Sequence, residues 1–274
     1  MTDLHELELA AARIRGRIVQ LSHAAGAPHL GSSLSCVDVL VALYWHAANV
    51  EPARADDPSR DRVILSKGHA APALYATLAA RGFFPDALLD TFGEPGGRLA
   101  EQPSPGCVPG VEAATGSLGH GLSIGLGMAE AARIAGRRLR VFCVLSDGEC
   151  NEGSTWEAVL TAPARGLDNV MAIVDFNRWQ ATGRSTEVLQ LEPLAEKFAA
   201  CGWSATEVDG HDLAALTGLL ERLPDGSGKP VAVVANTIKG KGISFMEDDN
   251  NWHYRIPTGE EVEAARRELG LVPA

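Results

Sequence analysis

Three short runs, VFCVL at 141–145, VMAIV at 170–174 and VAVVA at 231–235, set the strongest limit on what this chain can fold into. Each is apolar throughout rather than at alternate positions. That pattern marks strands buried on both faces, as in a parallel sheet covered by helices. Each run gives way at once to polar or glycine-bearing sequence: Ser146-Asp147-Gly148, Asp175-Phe176-Asn177 and Asn236-Thr237-Ile238-Lys239-Gly240. Open α/β sheets bind ligands beyond the carboxyl ends of their strands, so these three turns are where function is expected. The fold class that follows is α/β, three layers deep and doubly wound, with a mostly parallel sheet.

Helical sequence fills the intervals. Leu7, Ala11, Ile14, Ile18 and Leu21 recur at steps of four and three and define the buried face of a first amphipathic helix. A second helix is predicted over 37–46, after a loop over 23–33 whose Gly26, Pro28 and Gly31 would break either helix. Further helices are predicted over 117–135 and 154–165, the latter with Ser154 and Glu157 as a capping box and with Pro163 kinking it or ending it early. The Pro- and Gly-rich stretch 95–110 reads as a loop rather than a linker. There is no internal repeat or low-complexity tail.

With 274 residues and 46% hydrophobic content, the chain can build one large domain spanning 1–274. Its 35 acids outweigh 24 bases, for a formal net charge of -11, and no Lys/Arg-rich run offers a face for nucleic acid. An anionic ligand is still compatible, because a metal ion and a few placed histidines hold phosphate inside an acidic protein. The N-terminus has early acids and no long apolar run, so neither a leader nor a membrane span is expected and the cytoplasm is the expected location. Cys36, Cys107, Cys143, Cys150 and Cys201 are scattered, odd in number and without a CxxC pair. They read as reduced, small apolar residues.

The segment from Asp147 to Thr182 carries the chemistry. A strand ends in Asp147-Gly148, a helix crosses over, and a second strand ends at Asn177. If the two strands are neighbours, their tips converge. An Asp oxygen, an Asn oxygen and a backbone carbonyl suit a hard cation such as Mg²⁺, which takes its other ligands from phosphate and water. Gly148 lets the backbone approach phosphate without a Cβ in the way. Either dipeptide alone would read as a surface turn.

The pattern DG-x-x-x-EG, a crossover, then Asn resembles the thiamine diphosphate motif of transketolases. Three more segments resemble that family in the same order: Pro28-His29-Leu30-Gly31, Leu65-Ser66-Lys67-Gly68-His69 and Thr115-Gly116-Ser117-Leu118-Gly119-His120-Gly121. The resemblance covers nearly the whole chain. It implies the diphosphate-binding domain of a thiamine diphosphate fold, with thiamine diphosphate and Mg²⁺ as cofactors. Asp147, Asn177 and the Trp179 carbonyl become the metal ligands. Gly116, Ser117, Leu118, Gly148, Glu149, His69 and His253 become cofactor contacts, with His69 and His253 on the diphosphate. His29 and His253 would face the reacting carbons of the substrate, and His29, His69, His253 and Glu152 form the catalytic set, Glu152 resembling the acid that links two active sites. His5, His23 and His46 keep an ordinary surface or structural reading, and His211 in Asp209-Gly210-His211-Asp212 resembles a structural segment.

The family's remaining two domains, including the glutamate that activates the cofactor, have no counterpart here. The resemblance therefore implies the N-terminal subunit of a split transketolase, completed by a C-terminal subunit with the pyrimidine-binding domain in an α2β2 assembly. The implied reaction moves a two-carbon ketol unit from a ketose or its phosphate to an aldehyde. Small residues over 119–132 would suit close helix packing at that interface or inside the chain. Gln102 stands where the family places a donor-binding histidine, and Gln can hydrogen-bond but cannot transfer a proton near neutral pH. A modified sugar, or a 2-oxo acid such as pyruvate, is therefore an alternative donor, and a non-catalytic subunit is an alternative role. A nicotinamide-binding fingerprint is excluded because Gly125-Leu126-Gly127 follows no strand and lacks the third glycine; Lys239-Gly240-Lys241-Gly242 likewise lacks the P-loop arrangement.

Overall fold

The three apolar runs become the interior of a parallel sheet. In the computed structural model, which describes residues 3–272, the strands are β1 (Arg62–Leu65), β2 (Val141–Ser146), β3 (Val170–Phe176), β4 (Ser204–Asp209) and β5 (Val231–Asn236). Residues 1, 2, 273 and 274 of the 1–274 span lie outside the described residues. The strand order is β1-β2-β3-β5-β4 with every neighbouring pair parallel. The carboxyl ends of β2 and β3 are adjacent, with Ser146 opposite Asp175, which brings the Asp147 and Asn177 turns side by side. Two strands were not legible as apolar runs. β1 is only four residues long and starts on Arg62, and β4 is a half-exposed edge of mixed polarity, as edge strands commonly are.

Helices cover both faces. They are α1 (Leu4–Ala25), α2 (Leu30–Ser35), α3 (Val37–Ala42), α4 (Ala71–Ala80), α5 (Gly121–Ile134), α6 (Gly153–Ala164), α7 (Ser185–Val188), α8 (Leu194–Ala200), α9 (Leu213–Leu220) and α10 (Gly259–Glu268). Side chains alternate across the sheet. Val63, Phe142, Val144, Ile173 and Val233 join the core under α1, α2, α3, α4, α9 and α10. Ile64, Cys143, Leu145, Ala172 and Val234 join the opposite core under α5, α6 and α8. The predicted stripe Leu7, Ala11, Ile14, Ile18 and Leu21 on α1 is buried.

Several local expectations need correction. The predicted loop over 23–33 is shorter: α1 continues to Ala25 and ends on Gly26 in left-handed backbone, and α2 already begins at Leu30. Leu30–Ser35 is buried against groups that sequence spacing does not reveal, including the Lys239 side chain beside Gly31. The predicted helix over 37–46 is α3 followed by a π turn, Leu43–Ala47. The predicted helix over 117–135 starts only at Gly121. Ser154 does not cap α6: the cap residue is Glu152 without a side-chain bond, and α6 ends at Ala164, just past Pro163. A true capping box forms instead between Thr258 and Glu261 at the start of α10. The apolar run Leu30–Ala47 has a mean hydropathy of 1.2 over 18 residues, but 89% of it is buried in the fold, so it is core.

A cavity of about 660 Å³ lies at the amino ends of the strands and gathers Arg133, Arg137, Arg138 and Arg140. This basic cluster was not foreseen from the sequence. Asp61 and Asp168 share its lining, and Asp61 accepts hydrogen bonds from Arg140 at 2.6 Å and 3.0 Å.

Two glycines of α5 give a direct test of this packing. A Cβ on Gly125 would lie 2.5 Å from Cys143 Sγ in β2, whereas one on Gly127 meets nothing within 4 Å. Gly125→Ala should destabilise the chain by about 1–3 kcal/mol through overpacking. Gly127→Ala should stabilise it by up to about 1 kcal/mol through helix propensity. Urea denaturation of the two variants side by side would measure both signs.

Candidate cofactor-binding site

A cavity of about 370 Å³ opens beyond the carboxyl ends of β1, β2 and β3 and is lined by most of the residues singled out in the sequence: His29, His69, Gln102, Gly116, Leu118, Asp147, Gly148, Glu152, Asn177, Trp179 and His253. Ser117 and Glu149 do not line it. Glu149 is fully buried and accepts from Ser66 Oγ and from the Gly119 N–H at 2.8 Å, so it pins the turn at 117–121 to β1 instead. Ser117 Oγ pairs with His120 Nδ1 at 3.4 Å. Glu152 is exposed at the cavity rim.

Three histidines gather on one wall. His29 and His253 have ring centroids 4.9 Å apart, His29 and His69 5.2 Å, and His69 and His253 6.2 Å. The His29 N–H donates to the His253 carbonyl at 2.7 Å, joining two distant loops. Burial lowers the pKa of all three; Glu101 opposes the drop at His29, neighbouring positive charge adds to it at His69, and His253 falls to about 3 with Lys239 as the second cause. At neutral pH they are uncharged donors and acceptors. Lys239 Nζ donates to His253 Nδ1 at 3.1 Å, which leaves the proton of the neutral ring on Nε2. Lys239 also donates to Asn250 Oδ1 at 2.7 Å, and burial lowers its own pKa to about 8.

Across the cavity the groups are acidic or amide. Asp147 is buried, its carboxylate accepting from the Gly148 N–H at 2.8 Å and from Ser185 Oγ at 2.7 Å. Desolvation raises it from 3.8 to about 6, with no cation paired to it among the described residues. Asn177 Nδ2 donates to Asp175 Oδ2 at 3.2 Å and Ser35 Oγ at 3.3 Å. That fixes the amide so that Oδ1 points the other way, where it accepts from the Trp179 N–H at 3.0 Å.

Do these groups fit a metal and a phosphate? The donor set is all oxygen, with a desolvated carboxylate next to a fixed amide oxygen, as a hard cation requires. Two buried polar atoms that lack any partner, Gln180 Nε2 and Asn151 Oδ1, belong to residues of the same cavity. A polar ligand would relieve both. Gly116 has φ +130, and a Cβ there would fall 2.2 Å from Gln102 Oε1, so this glycine admits both the turn and the Gln102 side chain. The fit is good.

Sequence reading missed Lys67, Asp175, Lys239, Asn151, Gln180 and Ser185. Lys67 lay in a quoted motif, and Asp175 two positions before Asn177, but only the fold shows Lys67 Nζ 2.5 Å from Asp175 Oδ2 with both side chains fully buried. His211 is structural as expected: Nδ1 meets Asp38 at 2.7 Å and Nε2 accepts from the Ile238 N–H at 2.8 Å. A further signal is backbone strain. The non-glycine residues with positive φ among the described residues are His29, Arg178 and Asp248, and all three sit in loops around this cavity.

Comparison with known proteins identifies the family. The family model "Transketolase, thiamine diphosphate binding domain" matches residues 8–274, and the chain belongs to that family. It is 40% identical to an apulose-4-phosphate transketolase subunit from Phocaeicola vulgatus, over 97% of this chain and 95% of that protein. It is 41% identical to the 6-deoxy-6-sulfo-D-fructose transketolase subunit SqwG of a Clostridium species, over 89% of each. Among solved structures, transketolase from Pichia stipitis (mutant R525L) superposes with a TM-score of 0.90 at 27% identity, covering 98% of this chain and 42% of that one. Campylobacter jejuni transketolase gives 0.90 at 27%, covering 98% and 43%. The chain therefore spans about two fifths of the length of those transketolases.

The Asp147 shift has a consequence for stability. Its folded pKa lies above the unfolded value, so the ionised carboxylate disfavours the fold; that penalty is absent below pH 3.8 and complete above about pH 6. Asp147→Asn should therefore stabilise the metal-free chain at pH 7, by about 3 kcal/mol for a rise of this size. The gain should fade as pH falls toward 4. Thermal melts in EDTA across that range would measure it, and a variant less stable than wild type at pH 7 would contradict the assignment.

Proposed function

We propose that this chain is the diphosphate-binding subunit of a split, thiamine diphosphate- and Mg²⁺-dependent transketolase, moving a two-carbon ketol unit from a ketose or ketose phosphate to an aldehyde. The observation that carries this reading is one cavity in which a neutral histidine cluster faces an unpaired buried carboxylate beside a fixed amide oxygen. Asp147, Asn177 and the Trp179 carbonyl would hold the metal. His69, His253 and Lys239 would contact the diphosphate, with Gly148 allowing close approach and Gly116 and Leu118 beside the aminopyrimidine. The bound cofactor would supply the carbanion chemistry that cleaves and remakes the carbon–carbon bond. His29 and His253, uncharged at neutral pH, would then exchange protons with substrate hydroxyls.

The reading treats residues 1–274 as one domain, with the pyrimidine-binding and C-terminal domains on a partner subunit in an α2β2 assembly. Both the Phocaeicola and the Clostridium relatives are named as subunits of transketolases, which supports a partner. Glu152, exposed at the rim, would meet the assembly there as the acid linking two sites. Five unpaired cysteines, three of them buried, fit a reducing cytoplasm. The two relatives named for apulose 4-phosphate and 6-deoxy-6-sulfofructose, together with Gln102, support a modified sugar as donor.

The test is ketol transfer between a ketose donor and an aldehyde, measured on the chain co-purified with its partner. Asp147→Ala should abolish Mg²⁺-dependent thiamine diphosphate binding in calorimetry. Release of CO₂ from pyruvate without ketose cleavage would replace this reading with a 2-oxo acid enzyme.

A further inference from the structure

The rim on the Asp147 side carries a group of charged and aromatic side chains that the proposed reaction does not use. Its hub is Asp248, in left-handed backbone with φ +57. The Asp248 N–H donates to the Lys239 carbonyl at 2.8 Å. Its Oδ1 accepts from the Trp179 indole Nε1 and from Arg184 Nη1, both at 2.7 Å, and its Oδ2 accepts from Arg184 Nη2 at 2.7 Å. The Arg184 guanidinium also lies 3.8 Å from the Trp179 ring centroid. Trp179 and Arg184 face each other in an antiparallel bridge, flanked by bonds from the Gln180 N–H to the Gly183 carbonyl (2.9 Å) and from the Ser185 N–H to the Arg178 carbonyl (3.0 Å). Residues 178–185 thus form a tight hairpin clamped from outside onto the loop that carries Lys239 and His253.

Exposed ion pairs contribute little to stability, so a bidentate and stacked pair at this place serves geometry. What it places is Gln180. This residue lines the cavity beside Gly148, with its Cγ 3.3 Å and its Oε1 3.8 Å from where a Cβ on Gly148 would stand, so that Nε2 is the amide atom turned away from Gly148. Its Nε2 is buried and has no hydrogen-bond partner. An unpaired buried donor is costly, and holding one in place with a rigid hairpin makes sense when a ligand supplies the acceptor.

We propose that Asp248, Arg184 and Trp179 form a latch that presents the unpartnered Gln180 Nε2 as a hydrogen-bond donor to an anionic oxygen of a ligand bound in this cavity. The proposal rests on the reading of this cavity as a thiamine diphosphate site, which makes that oxygen a phosphate oxygen. Gln180 touches the ligand; the three latch residues are positioning residues.

The experiment titrates thiamine diphosphate at saturating Mg²⁺ into the co-purified assembly by calorimetry, with a melting temperature for every variant. Gln180→Ala should weaken binding about tenfold, as expected for losing a hydrogen bond to a charged acceptor. Gln180→Glu should weaken it further, because a carboxylate would face the phosphate. Arg184→Met should act in the same direction, yet add nothing in the Gln180→Ala background, since the latch works through Gln180. Melting temperatures should stay within about 2 °C of wild type. Wild-type affinity in Gln180→Ala or Gln180→Glu, or an Arg184→Met effect that persists undiminished in the double variant, would overturn the latch. Asp147→Ala separates the two levels: if it abolishes binding while Gln180→Ala is neutral, the latch alone fails, and if it too binds normally, the cofactor reading fails with it.

Discussion

The fully buried ion pair of Lys67 and Asp175 is the constraint on which the cavity's geometry depends. Lys67 leaves the end of β1 and Asp175 lies in β3, two strands apart in the sheet. Lys67 also donates to the Ser32 carbonyl of α2 at 2.6 Å. Asp175 further accepts from Ser35 Oγ of α2 (2.7 Å), Thr237 Oγ1 beyond β5 (2.5 Å) and Asn177 Nδ2 (3.2 Å). One carboxylate thus ties β1, α2, β5 and the Asn177 turn together. Burial works against both charges, yet the ammonium and the hydroxyl donors hold Asp175 below the usual carboxylate range. Such a pair is a weak source of net stability against an apolar replacement, but costs several kcal/mol if one partner is removed alone. Its value lies in the orientation it forces on Asn177.

That network also keeps two kinds of charge apart. Lys67 stays charged but is paired with Asp175 where it stands, so it is not free to occupy the Asp147 carboxylate. Lys239 is committed to Asn250 and His253. Asp147 is left as a buried carboxylate with hydrogen bonds but no cation. The histidine wall, lowered in pKa first by burial, stays uncharged beside it. A protein that only needed to fold would have paired Asp147 or replaced it. Keeping it costs stability, as preorganised sites commonly do.

How much of this was legible in the sequence follows from range. The interior strands β2, β3 and β5 announce themselves because a strand buried on both faces needs apolar residues at every position. Asp147, Gly148 and Asn177 follow directly at their tips, and His29, His69 and His253 stand out through their neighbours in family-like segments. Lys67 with Asp175 and Arg184 with Asp248 were not legible, because each is a contact between residues over sixty positions apart. Ser154 shows the reverse error: a capping-box pattern matched locally, while the turn from Gly148 to Glu152 set the helix start one residue earlier. Glu149, a cofactor contact only by the family resemblance, is held buried by the 3-10 turn over Gly148–Asn151, with its carboxylate on Ser66 and Gly119.

The distribution of unmet polar demand around the cavity gives the site its direction. The orphaned Gln180 Nε2 and Asn151 Oδ1 and the uncompensated Asp147 carboxylate all belong to the turns after β2 and β3. On the opposite wall, Lys239 and His253 already satisfy each other and the His29 backbone is bonded to that of His253. A ligand that completes the first wall must offer oxygen acceptors and bring a cation; one that meets the second need only present groups able to exchange hydrogen bonds with neutral imidazoles. Two such different demands facing each other across one cavity describe a molecule with a charged, metal-bound end and a less charged reacting end. That division would suit a diphosphate whose metal-bound oxygens meet the first wall while His69, His253 and Lys239 reach it from the second, leaving His29 and His253 for substrate hydroxyls, and it arises from the strand order that places β2 next to β3 and β1 at the sheet's edge.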